Sequence, residues 1–158
     1  MLSKELAALF SRDLRRLTQE IEAFPDTQSL WKTVPGVTNA AGTLALHLEG
    51  NLREYIGRQL GRIAYTRDRP LEFNARGVEQ QELVARLAAV AAFIPGVVEQ
   101  LSDNTLNAPF PEQVLGVSLS SRQFLVHING HLNYHLGQID YLRRVHTGNG
   151  ALALAGLS

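Results

Sequence analysis

Residues 121–146, SRQFLVHINGHLNYHLGQIDYLRRVH, decide the fold because their polarity repeats with a helical period. Positions three or four residues apart form one line, as on the inward face of an amphipathic helix. That line comprises Phe124, Ile128, His131, His135, Ile139 and Leu142. Two imidazoles thus stand where leucine or isoleucine is expected. Burying each without a partner would cost about 1–3 kcal/mol, so a metal, buried hydrogen-bond partners or water should satisfy them.

Three further segments have the same 3–4 spacing, at about residues 2–24, 40–60 and 79–101. Pro95 lies inside the last of them and should kink or split it. The connections 61–77 and 102–120 are longer than an antiparallel hairpin needs. These features predict an all-α fold, a four-helix bundle with long crossover connections. We expect a single domain over residues 1–158, with a peripheral tail at 149–158 that has no evident partner in the chain.

The composition excludes several classes of function. The 158 residues carry 15 basic and 15 acidic side chains, so the net charge is zero and no global field would attract nucleic acid or an anionic membrane. No segment has the roughly 18 consecutive apolar residues of a membrane span, and a cytoplasmic location is expected. The chain contains no cysteine, so any metal must be held by histidine and carboxylate.

The histidines are the candidate metal ligands. His131 and His135 lie one turn apart on one helix face, where two imidazoles can bind the same ion. His47, in the predicted second helix, could complete a three-histidine site with open coordination positions. His127 precedes His131 by one turn and is an alternative third ligand, a side chain that supports a metal ligand or a substrate, or a structural side chain.

Other polar groups on these helices could serve the same site. Asn51 and Gln138 could each donate a hydrogen bond to a metal-bound ligand or to a substrate, or make ordinary packing contacts. Gly50 and Gly57 weaken a helix interior by up to about 1 kcal/mol each. Glycines at these positions indicate close approach of another helix or of a ligand.

The segment His131-Leu-Asn-Tyr-His135-Leu-Gly-Gln-Ile139, together with His47, resembles the DinB superfamily. The stretch HLEGNLREYIGRQLG, followed by TRDRPLEF, is similar to a branch of that superfamily with unknown activity. The resemblance spans about residues 31–144 and implies a four-helix bundle with His47, His131 and His135 as metal ligands. Members with assigned activity include thiol transferases and isomerases that use low-molecular-weight thiols.

A divalent ion held by three neutral imidazoles keeps its full charge and would activate a bound water, carbonyl or thiol. We therefore expect a metal-dependent hydrolase or a thiol-dependent transferase, with a non-catalytic metal- or ligand-binding stress-response module as the alternative. Zinc or nickel are the preferred metals, with iron or copper as alternatives. The Arg-rich segment 61–77 is either a salt-bridged crossover or a rim that binds an anionic substrate.

A homodimer is also expected. The predicted third helix is apolar nearly all round between Leu87 and Ile94, and a helix of that kind is normally buried on every side. A second copy of the chain is the simplest partner, and the DinB resemblance implies dimers as well. The alternative is that the connections 61–77 and 102–120 cover this helix.

Overall fold

The computed structural model describes residues 2–114 and 116–156, which form an all-α fold without a β-strand in those two ranges. The predicted fold class is therefore confirmed. The helices are α1 Leu2–Glu22, α2 Thr27–Trp31, α3 Ala41–Leu52, α4 Arg69–Asn74, α5 Gln80–Glu99, α6 Asp103–Asn107 and α7 Ser121–Thr147. A π-helical segment, Arg53–Arg58, extends α3.

The four long helices contact one another around a ring in which α1 touches α5 and α7, and α3 touches the same two helices. The most extensive pairing is between α1 and α5. Their inward lines form one continuous apolar core, which includes Phe10, Leu17, Leu48, Val90 and Phe124. The 3–4 periodicity thus predicted the long helices correctly, because burial of one apolar face stabilises each of them.

Helix α7 is capped at both of its ends. Ser120 and Gln123 form a capping box, in which each side chain satisfies the other residue's backbone N–H. Gly148 closes the helix in the left-handed conformation, with φ of 72°. These caps fix both ends of the helix that carries His131 and His135.

Helix α3 differs from the other long helices because all of its residues, Ala41–Leu52, are buried. It lies between α5 and α7 and is also covered by α4. After Leu52 the helix widens into the π-helical segment, where the Gln59 amide bonds the Glu54 carbonyl five residues back. His47 is therefore carried by the most enclosed helix of the fold.

Helix α5 runs through Pro95 without being split. Its buried line faces the core, whereas the outer positions Ala88, Ala89 and Ala92 are exposed, so the connections do not cover them. Among the described helices, α5 alone has the length and composition for a membrane span. Core helices of soluble proteins have the same composition, so this is weak support for a span. The expected absence of membrane contact stays a prediction.

The C-terminal tail, expected to lack a partner, is in fact held against α1. The carbonyl of Ala155 accepts a hydrogen bond from Arg16 at 2.7 Å, and the Ala155 amide donates to Gln19 at 3.0 Å. Arg143 donates to the Gly150 carbonyl at 3.0 Å. Backbone groups make these bonds, and for that reason the apolar sequence of the tail gave no sign of them.

Candidate metal centre

Three imidazoles from two helices meet at the edge of the core. One nitrogen from each of His47, His131 and His135 lies within 4.8 Å of the other two. The Nε2 atom of His131 is 3.2 Å from Nε2 of His47 and 3.1 Å from Nε2 of His135. The structure thus brings together the three histidines that the sequence singled out, and such a cluster could hold a metal ion.

The outer nitrogen of His47 is fixed by a carboxylate from α4. Nδ1 of His47 is 3.0 Å from Oε2 of Glu72, and a carboxylate can only accept, so the proton lies on Nδ1. Arg67 holds both oxygens of Glu72, at 2.6 and 2.8 Å. Burial raises the pKa of Glu72, but the hydrogen bonds from His47 and Arg67 outweigh it and keep that pKa below its ordinary value. Nε2 of His47 therefore presents a free lone pair to the cluster.

Gly50 makes room for this carboxylate. A Cβ atom built on Gly50 would lie 2.1 Å from Oε1 of Glu72, so only glycine permits the carboxylate to approach α3 at this point. The close approach inferred from glycine in a helix interior is thus real, and the group that approaches is Glu72. The sequence analysis did not identify Glu72 as part of the site. The available signals were Gly50, one turn from His47, and an acid in the long connection.

His135 is fixed in the same way by its own helix. Its Nδ1 lies 2.6 Å from Oε1 of Gln138. This amide oxygen accepts a hydrogen bond from Nδ1–H, which leaves the lone pair of Nε2 free. Gln138, a candidate from the sequence, thus orients His135 directly. Burial lowers the pKa of His135 and lowers that of His131 to about 4, and neighbouring imidazoles add to both shifts. The rings of His131 and His135 are therefore neutral at neutral pH, as metal ligation requires.

The two histidines of α7 lie beside the apolar line and not in its middle. Leu132 and Leu136 are buried and carry the core contacts, whereas His131 and His135 are half-buried. The sequence placed both rings on the inward line of α7. In the structure they are rotated around the helix axis to one side of that line. The reason is that each histidine is followed by a leucine, which takes the inward position. The displacement leaves one side of the cluster open to solvent.

The remaining candidates, Asn51 and His127, and the fifth histidine of the chain, His146, have different environments. Asn51 is buried, and its Oδ1 atom has no hydrogen-bond partner among the described residues. His127 is exposed and does not belong to the cluster. His146, near the end of α7, lies 3.1 Å from the Lys32 carbonyl. These residues stay outside the group that could bind the ion.

The Arg-rich connection contributes to the centre through ion pairing. Arg67 pairs with Glu72, and Phe73 packs against the ring of His47 with centroids 4.9 Å apart. Arg69 in turn lies over the ring of Phe73, at 5.0 Å from its centroid. The segment 61–77 is therefore a salt-bridged crossover, and helix α4 within it covers one side of His47.

The donor set fits a divalent transition metal. A tetrahedral ion with metal–nitrogen distances of about 2.0–2.1 Å needs nitrogens about 3.3–3.4 Å apart. Two of the three pairs are close to this, at 3.1 and 3.2 Å, and the pair formed by His47 and His135 lies within 4.8 Å. Outer hydrogen bonds of the kind made by Glu72 and Gln138 are the usual support of metal-binding histidines. Within the described ranges, no fourth histidine, aspartate or glutamate joins the group.

Replacing Gly50 with alanine should displace Glu72 from His47, because the new methyl group would overlap the carboxylate. We expect metal affinity to fall by about 10–100-fold, the usual effect of losing such an outer partner. Zinc titration against a competing chelator would measure this loss. Gly96→Ala is the matched control, since a Cβ there meets nothing within 4 Å. Equal affinities for the two variants would contradict the role of Glu72.

The metal-free protein should lose stability as the pH falls from 6.5 towards 4. In the unfolded chain His131 takes up a proton below its ordinary pKa of 6.5, whereas in the folded chain that pKa is about 4. Protonation therefore favours the unfolded state within this window. Melting temperatures of chelator-treated protein should fall more steeply with pH for the natural chain than for His131→Gln. Parallel curves would contradict the lowered pKa.

Comparison with protein-family profiles finds one family over most of the chain. The family profile described as the DinB superfamily matches residues 9–139. No curated protein and no solved structure matches the chain. The matched region includes α3, α7 as far as Ile139, and all three clustered histidines. The chain belongs to the DinB superfamily.

Proposed function

We propose that this protein binds one divalent metal ion through His47, His131 and His135 and uses it to activate a small molecule, as a metal-dependent hydrolase or a thiol-dependent transferase. The observation that carries the proposal is the convergence of three Nε2 atoms, two of which belong to rings whose Nδ1 proton is held by Glu72 and Gln138. Residues that only fill a core do not need this arrangement.

When bound, the metal would supply Lewis-acid chemistry, lowering the pKa of a coordinated water or thiol. The chain's own part is positional. Glu72 and Gln138 hold protons at Nδ1 of His47 and His135, so the lone pairs at Nε2 stay directed at one point. A structural site is normally closed by a fourth protein ligand, and none is present among the described residues. An open, reactive site is favoured over the non-catalytic module for this reason.

A pocket that is lined by none of the three histidines, but that includes the Gln138 side chain bonded to His135, supports binding of an uncharged substrate. Its volume is about 530 Å³, and Gln138, which accepts from His135, lines it. Leu44, one turn before His47, and Asn39 line it as well. None of the described side chains around it is charged. We infer a neutral molecule with an apolar body, and any thiol must come from a co-substrate because the chain has no cysteine.

The metal's identity follows from availability as much as from the ligands. Three imidazoles suit zinc and nickel best among the candidates, and iron or copper are further options. Elemental analysis of untagged protein should find one such ion per chain. A chain that takes up no zinc, nickel, iron or copper at neutral pH would overturn the proposal.

Turnover is tested by comparing metal-loaded with chelator-treated protein. One substrate set should contain uncharged esters, and the other a low-molecular-weight thiol with an uncharged electrophile. Activity that appears only in the loaded protein supports an enzyme, and the set that reacts identifies hydrolysis or transfer. Stoichiometric metal without turnover on either set would favour the non-catalytic binding module.

Asn39→Asp should lower kcat/KM for an uncharged substrate by about 10-fold or more, because it buries a charge in the pocket. Metal content should not change, since Asn39 is not one of the three clustered residues. Thr33→Asp, which adds the same charge outside this pocket, is the control. An equal loss in both variants would argue against the pocket as the substrate site.

A further inference from the structure

Half of the large apolar side chains that the described chain exposes lie on a single face of α7. Val126, Tyr134, Tyr141 and Val145 are 56, 66, 68 and 63% exposed. Gly130 and Gly137 lie between them, so the six positions follow one another in steps of 4, 4, 3, 4 and 4 residues. This set of six residues, the α7 stripe, lies opposite the buried face of the helix.

No contact within the chain requires a glycine at either of these two positions. A Cβ atom built at Gly130 or Gly137 would meet nothing within 4 Å. Glycine weakens a helix interior, and here no internal neighbour requires its small size. Glycine on an exposed helix face permits another molecule to approach the helix backbone closely, and small residues of this kind are typical of contacts between two helices.

The stripe is complementary to itself when two copies run antiparallel. Its spacing reads the same in both directions, and pairing positions whose numbers sum to 271 brings every tyrosine opposite a glycine. Tyr134 then faces Gly137 of the partner subunit, and Tyr141 faces Gly130 of the partner subunit. Val126 faces Val145 of the partner subunit. No charged side chain belongs to the stripe itself. Arg144, which pairs with Asp140, lies over the ring of Tyr141 at 5.4 Å from its centroid and would stand at the edge of the interface.

The exposed apolar area of the stripe could form the centre of a dimer interface but not the whole of it. On general side-chain sizes each tyrosine exposes about 100–170 Å². With the valines the stripe comes to on the order of 400 Å², within the 300–600 Å² of the largest apolar patch on a typical monomer. A standard interface buries about 800 Å² per subunit, so the stripe would form its apolar centre and the flanking polar side chains its rim.

We propose that two copies of this chain associate through the α7 stripe, antiparallel and about a twofold axis near residues 135 and 136. This places the interface on α7 and not on α5, whose outer face offers only alanines between Leu87 and Ile94. Tyr141 and Val145 also line the 530 Å³ pocket beside Gln138. The second copy therefore forms part of the wall of each pocket.

The first test is the mass in solution. Light scattering at micromolar concentration should give twice 17.4 kDa for the natural chain. Gly137→Arg and Gly130→Arg should each give 17.4 kDa with unchanged circular dichroism, since neither glycine has a neighbour to displace. Ala89→Arg on α5 should remain dimeric. A natural chain of 17.4 kDa, or dissociation by Ala89→Arg alone, would overturn the proposal.

The second test is the orientation of the two copies. Arg122→Cys creates the only cysteine in the chain, so a spin label attaches at one position. In the antiparallel register the two labels lie about 40 Å apart along the helices, from the rise of 1.5 Å per residue. A parallel pair would bring them within about 15 Å of each other, from two adjacent helices. A short distance would overturn the register. Neither test uses metal, so failure here is separate from failure of the proposed function.

Discussion

Replacing His135 with alanine should abolish tight metal binding while leaving the protein folded. The loss should exceed the roughly 100-fold upper range for an outer hydrogen-bond partner, because a ligand nitrogen itself disappears. The fold should persist because the core is formed by the apolar lines of the long helices, from which His135 is displaced. Titration with zinc and circular dichroism of the metal-free variant would measure the two effects.

His127→Ala is the matched control for this variant. It removes an imidazole from the same helix, two turns earlier, at an exposed position outside the cluster. Its zinc affinity should equal that of the natural chain. The natural chain should also melt at a higher temperature with zinc than without it, by mass action, and His135→Ala should lose that increment. An apoprotein that is unfolded would make the site a structural element and weaken the catalytic proposal.

Replacing Arg143 with methionine should destabilise the protein by about 3–5 kcal/mol, the usual effect of removing one partner of a buried ion pair. Arg143 is 1% exposed and donates to Glu20, which is fully buried, at 2.6 Å. Burial already raises the pKa of Glu20 even beside this arginine. Without it, a carboxylate would be left unpaired in the core. Urea unfolding at neutral pH would measure the change.

Two comparisons isolate the ion pair from the loss of the arginine side chain. The double variant Glu20→Met with Arg143→Met should recover much of the stability, because an apolar pair of similar volume often replaces a buried ion pair without loss. Arg144→Ala removes a more exposed arginine that pairs with Asp140, and it should change stability by about 0–1 kcal/mol. A double variant as unstable as the single one would show that the packing of Arg143, and not its charge, is what matters.

The sequence was sufficient for features that depend on local order along the chain. The long helices follow from apolar spacing along the chain. The clustering of His47 with the α7 pair was predicted because inward positions on neighbouring helices must meet in a core. Gly50 correctly indicated a close approach, since a glycine inside a helix needs a reason.

Other features depend on contacts between distant segments and could not be predicted from spacing. Glu72 reaches His47 because α4 folds back over α3, and the sequence of a connection does not specify such a path. The pairing of Glu20 with Arg143 joins residues from opposite ends of the chain. The tail is held through backbone groups that every residue has, so its side chains carry no sign of the contact.

All twelve residues of helix α3 are buried, and its most exposed side chain, that of His47, is only 7% exposed. Its amide protons should therefore exchange with deuterium only when the whole molecule unfolds, whereas those on the outer face of α5 exchange through smaller openings. His47 belongs to this helix, which we expect to open last. His131 and His135 lie beside it on α7. Substitutions in residues 41–52 should be the least tolerated in a saturation-mutagenesis screen for folding, whatever the metal content of the cell.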